Sequence, residues 1–149
     1  MYEKFGMDQI LRDIYKMYAD KKARDLVKVS SKIRFMFELL MKLRKEGHKV
    51  LVFSMSKQML DLIQLIIEND AEYKKEFKHL RIDGDTEIAE REGMCKKFNK
   101  GKDIFMCLLT TKVGGFGLNL TGADRAIILD PDWNPANDNQ AVDRCYRIG

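Results

Sequence analysis

Short apolar runs rich in β-branched residues alternate with helical stripes from about residue 30 onward, and few folds accommodate that alternation. Val50 to Phe53 reads Val-Leu-Val-Phe, bounded by Gly47 and Ser54 and with no polar position inside it. Such a run is a strand buried on both faces. His79 to Ile82, Ile104 to Leu109 and Arg125 to Leu129 give the second, third and fourth strands. Between them the period lengthens. A helix starting at Ser30 or Ser31 carries Ile33, Met36, Phe37, Leu40 and Leu43 on one stripe and ends at Gly47. A second, capped by Ser56, carries Met59, Leu62, Ile63 and Ile66. A third, capped by Thr86, turns Ile88, Met94 and Phe98 inward and closes at Asn99 and Gly101. Pro135, behind Asn134 as N-cap, opens the last. This pitch predicts βαβ units, and so an α/β fold with a parallel sheet covered by helices on both faces. A further helix is predicted over 8–24, in a charged segment that precedes the alternating part.

With 149 residues, the chain has enough length for one domain with a substantial core. Its 45% hydrophobic and 34% charged content reads as a soluble globular protein. A net charge of +4 permits contact with phosphate backbones without arguing for it. Cys95, Cys107 and Cys145 have no C-x-x-C spacing and read as reduced thiols, Cys107 as a small core residue of the third strand. The N-terminus does not read as a signal peptide, and no apolar run approaches the roughly 18 residues a membrane span needs. His48 and His79 stand without partners at metal spacing, so no metal site is predicted.

In open α/β sheets, sites form beyond the carboxyl ends of the strands. Here those ends carry Ser54, then Asp83-Gly84, then Thr110-Thr111 with a loop containing Gly114, Gly115 and Gly117, then Asp130-Pro131-Asp132-Trp133. Glycines let backbone N–H groups approach a phosphate closely, and hydroxyls add donors. Ser54 and Ser56 read equally well as helix caps, and Asp83-Gly84 as a plain turn. A dinucleotide fingerprint would need glycine where Leu120 stands, and a Walker A loop is absent from the sequence. Arg144 and Arg147, in a helix from Pro135, lie one turn apart and form a fork suited to a polyphosphate. Donors and arginines without a loop to hold a nucleotide amount to half a site, the other half being expected from another domain.

These residues together resemble the second RecA-like lobe of the Snf2 family of superfamily 2 helicase-like ATPases, over about Ser30 to Gly149. Val50 to Leu62, V-L-V-F-S-M-S-K-Q-M-L-D-L, resembles motif IV; R-I-D-G-D-T through R-E-G-M-C-K-K-F-N, Arg81 to Asn99, resembles the next block. L-L-T-T-K-V-G-G-F-G-L-N-L, Leu108 to Leu120, resembles motif V, D-P-D-W-N-P from Asp130 is a family signature, and Gln140 to Gly149 resembles motif VI. The wording is similar to the Cockayne syndrome B-like branch and its mitotic translocase relatives. The resemblance implies catalytic roles for Arg144 and Arg147, reaching across an interlobe cleft to ATP. It implies an ATP-binding set of Gly115, Gly117, Asn119, Gln140, Arg144 and Arg147. DNA-binding or coupling roles are implied for Ser54, Asp83, Gly84, Thr110, Thr111, Gly114 and Trp133. ATP with Mg²⁺ is expected to be bound mainly by a first lobe that this sequence lacks, with no metal ligand here.

Double-stranded DNA, the first lobe of the same protein, and chromatin or DNA-bound proteins are the implied partners, with a nuclear location and no membrane. Residues 1–29 are expected to be a helical connector and 30–149 the C-terminal lobe, cut just after motif VI and inactive alone. An ATP-independent RecA-like module that grips nucleic acid or a protein fits the missing Walker loop equally well.

Overall fold

Four strands, β1 (Val50–Ser54), β2 (His79–Ile82), β3 (Met106–Thr110) and β4 (Arg125–Ile128), pair in parallel in the order β2-β3-β1-β4. The structure, a computed structural model, describes residues 31–130 and 135–145. The expected connector, the helix over 8–24 and the caps Ser30 and Asn134 lie outside them. β1 is central and fully buried, as its unbroken apolar run requires.

Alternation along the strands divides the core in two. Val50, Val52, Met106 and Leu108 face α1 (Ser31–Lys45) and α2 (Lys57–Asn69). Leu51, Phe53, Cys107 and Leu109 face the opposite side, with α4 (Ile88–Lys100), α5 (Thr111–Gly114) and α6 (Pro135–Cys145). Cys107 is a core residue, as its place in the strand pattern implies. The first face is reinforced by a ladder of rings. Phe37 stacks on Tyr73 at 4.8 Å, Tyr73 on Phe77 at 5.3 Å, and Phe77 on Phe105 at 5.6 Å between centroids. Such pairs add about 0.5–1.5 kcal/mol each beyond their area.

The stripe predicted for α1 is buried in full. Its end is a Schellman motif: Gly47 N–H donates to the Arg44 carbonyl at 3.2 Å and His48 N–H to Leu43 at 3.0 Å. Gly47 takes φ +82°, which no side chain favours. Ser56 caps α2, its hydroxyl accepting from Met59 N–H. Met59 packs at the core margin, while Leu60, Leu62, Ile63, Ile66 and Ile67 fill the interior.

Three expectations are corrected, and one element is added. Thr86 does not cap α4: Glu87 holds that position without a side-chain bond, and the Thr86 hydroxyl instead accepts from Asp83 N–H at 3.1 Å. Ile88 is 79% exposed rather than inward, because it opens the helix beyond the sheet edge, and Cys95 with Phe98 provides the inner face. The third strand begins at Met106, Ile104 and Phe105 being a lead-in joined to Lys78. A short helix, α3 (Ala71–Glu76), capped by Asp70, was hidden by its lack of any buried residue.

Candidate functional site

The connections after β1 and β3 leave for opposite faces of the sheet, so the crevice of an open α/β sheet opens between these two strand ends. Ser54 and Thr110 close them as register partners. Both are buried, at 0% and 6% exposure. The Ser54 hydroxyl donates to Asp130 Oδ2 at 3.1 Å and accepts from Ser56 N–H at 3.1 Å. The Asp130 carboxylate also accepts from Met55 N–H at 3.0 Å. Asp130 thereby ties the tip of β4 to the tip of β1. Ser54 is turned inward here, and what this edge offers outward from β1 is Met55, 58% exposed.

Along the same edge, Asp83 follows β2 beside β3. One carboxylate oxygen accepts from Asp85 N–H at 2.8 Å and the other from Arg81 Nε at 2.8 Å. Arg81 also reaches Asp61 and, at 2.9 Å, Gln64 of α2. Burial pushes the Asp83 carboxyl up, but the Asp85 amide, the Arg81 guanidinium and Lys57 more than reverse this and hold it below the usual range. The turn therefore keeps a buried, ionised acid that fixes its shape, with Gly84 exposed at its tip. Beside it, Lys57 Nζ meets Asp85 Oδ2 at 2.6 Å on the surface.

After β3 the chain turns at once into α5, where a loop was expected. Gly114 is pressed against the core: a Cβ there would sit 2.8 Å from Phe53 Cε1 and 3.4 Å from Ala141 Cβ. Its missing side chain is what lets α6 lie directly on α5. Gly115 is helical at φ −70°, whereas Gly117 takes φ +76° and turns the loop. The Thr111 hydroxyl oxygen is sealed from solvent with no hydrogen-bond partner among the described residues. The Asn119 side chain is exposed, while its carbonyl accepts from Asn99 Nδ2 at 2.9 Å.

Gln140 lies exposed on α6, next to the buried Ala141. Arg144 falls in the last turn of that helix. Arg147 and Trp133 lie outside the described residues. The structure thus gathers Ser54, Asp83, Thr110, Thr111 and Gly114 on one sheet edge, with the helix bearing Gln140 and Arg144 packed against it. Three residues escaped the sequence reading as site supports. Asp130 was visible only as an acid after a strand, Arg81 as a strand residue, and Asn99 as a helix terminator. A partly buried guanidinium between Asp61 and Asp83 is a tertiary arrangement that no local spacing announces.

Residues 31–149 match the family model described as helicase conserved C-terminal domain. The human DNA excision repair protein ERCC-6-like is 51% identical over 83% of this chain and 10% of its own length. The rice SNF2 domain-containing protein ENL1 is 52% identical over 81% of this chain and 12% of its own length. A crystal structure of the C-terminal part of the Fun30 ATPase domain superposes with TM-score 0.74 at 38% identity, covering 84% of this chain and 39% of that one. The chain spans about a tenth of the length of the curated relatives it matches. A parallel sheet with helices on both faces, motif V folded onto the helix of motif VI, and these likenesses place it together: the chain belongs to the helicase conserved C-terminal domain family, as the C-terminal RecA-like lobe of a Snf2-family protein.

Proposed function

We propose that this lobe is half of an ATP-driven motor that moves along double-stranded DNA in the nucleus, in chromatin remodelling or DNA repair. The observation that carries the reading is Gly114: its bare backbone joins the motif V helix to α6, so strand ends and arginine-bearing helix form one block. A block of that kind transmits a shift at the nucleotide to residues facing DNA. The names of the relatives, a DNA excision repair protein and an SNF2 domain protein, support the same class.

In this reading Arg144 and Arg147 serve the triphosphate and stabilise charge that develops as the terminal phosphoryl group leaves. Such groups are worth about 10³-fold or more in rate. Gln140, Gly115, Gly117 and Asn119 flank that wall. Among the described residues no group of three His, Cys, Asp or Glu side chains is placed to hold an ion. Mg²⁺ and most of the nucleotide are assigned to the first lobe on the resemblance to the family. Gly84, exposed at its turn, is assigned to the DNA strand, where backbone contacts position without reading sequence; the buried Asp83 and Thr110 and the enclosed Thr111 hydroxyl are assigned to coupling, and Ser54 shapes that edge through Asp130. Trp133 is assigned to coupling. Chromatin or DNA-bound proteins would be what the motor displaces.

The 149-residue chain alone should show negligible ATP turnover with or without duplex DNA in a phosphate-release assay. DNA-stimulated turnover by the chain alone would contradict the division of labour. DNA binding without hydrolysis after a first lobe is joined to it would favour the ATP-independent binding module instead.

A further inference from the structure

Asn99 lies in the last turn of α4, and its amide grips both sides of the turn that closes motif V. Nδ2 donates to the Asn119 carbonyl at 2.9 Å, and Oδ1 accepts from Gly122 N–H at 2.8 Å. Gly122 is fitted to this grip: a Cβ there would lie 2.8 Å from Asn99 Cα and 2.9 Å from Asn99 Oδ1. One turn earlier on the same helix, the Cys95 sulfur faces the Asn119 amide. The Asn119 carbonyl and the Gly122 N–H are thus both held by α4. Upstream, Gly117 at φ +76° has no Cβ neighbour within 4 Å, while Leu118 and Leu120 anchor the loop in the core, so the Asn99 bonds fix the peptides between and beyond those two anchors.

The geometry points to Asn99 as a positioning residue that sets the motif V loop, Gly115 to Asn119, at the height the nucleotide requires. This deepens the motor reading and rests on it. Only a primary amide meets both demands: a carboxylate of the same shape would accept from Gly122 but set oxygen against the Asn119 carbonyl. Both bonds go to backbone atoms, so Asn99 is assigned a role through the loop rather than on the reacting groups. α4 also belongs to the segment that follows the Asp83-Gly84 turn, which links the DNA-facing edge to the loop through a single helix.

The test uses Asn99→Asp, isosteric and so compatible with the fold, with Asn99→Ala beside it. In the 149-residue chain, amide exchange at Asn119 to Gly122 should quicken about tenfold while β1 and β3 amides keep their protection. In a protein carrying both lobes, turnover at saturating ATP and duplex DNA should fall about tenfold or more, with KM for ATP little changed. Wild-type exchange and turnover in Asn99→Asp would overturn the proposal, as would loss of protection spread evenly over the sheet. An unsubstituted two-lobe protein that fails to hydrolyse ATP would sink the motor reading itself. An Asn99→Asp protein as active as a working parent sinks this inference alone.

Discussion

At the level of single residues, what distinguishes this sheet edge is that the carboxylates Asp83 and Asp130 are spent on neighbouring donors. Asp83 is 7% exposed and bonded on both oxygens. Because its folded carboxyl lies below its ordinary value, the stability it gives is complete above that value and is lost as pH falls through the folded one. Asp83→Asn should therefore destabilise the chain at neutral pH by roughly 1–3 kcal/mol in urea unfolding. The gap from wild type should narrow below about pH 4; a gap independent of pH would mean that the charge is immaterial. Gly114→Ala makes the opposite kind of fault. The added methyl meets Phe53, which is 1% exposed and has nowhere to go. A loss of about 1–3 kcal/mol is expected by the same measurement, and an unchanged urea midpoint would show that α6 yields freely.

Among the elements, legibility followed burial. The α1 stripe, the β1 run and the capping serine of α2 were visible because each repeats a local rule that the core enforces. α3 was not, since a six-residue helix with no buried residue leaves no period to read. Ile88 misled because an apolar residue at helical spacing counts as inward until the sheet edge proves to stop short of it. The glycine loop was recognised, but its conversion into α5 was not, because Gly114 serves packing and Gly117 alone serves the turn. The site was legible as a set of strand ends, while the Asp130, Arg81 and Asn99 bonds that shape it depend on contacts between distant segments. Gly47 gives a clean test of the α1 terminus. With no atom within 4 Å of an added methyl, Gly47→Ala should cost only its backbone strain, about 1 kcal/mol. A larger loss in urea unfolding would indicate a packing role.

For the molecule as a whole, the proposed motor makes this lobe one jaw of a two-jawed site. β1, α5 and α6 meet at Phe53, Gly114 and Ala141, and under that proposal the edge assigned to DNA and the helix of motif VI are expected to move together. The decisive measurement is steady-state ATP hydrolysis, with duplex DNA, by a two-lobe protein carrying Arg147→Ala. Turnover should fall by about 10³-fold or more while affinity for DNA is largely kept. Turnover near that of the unsubstituted protein would contradict the claim that this lobe supplies charge to the triphosphate.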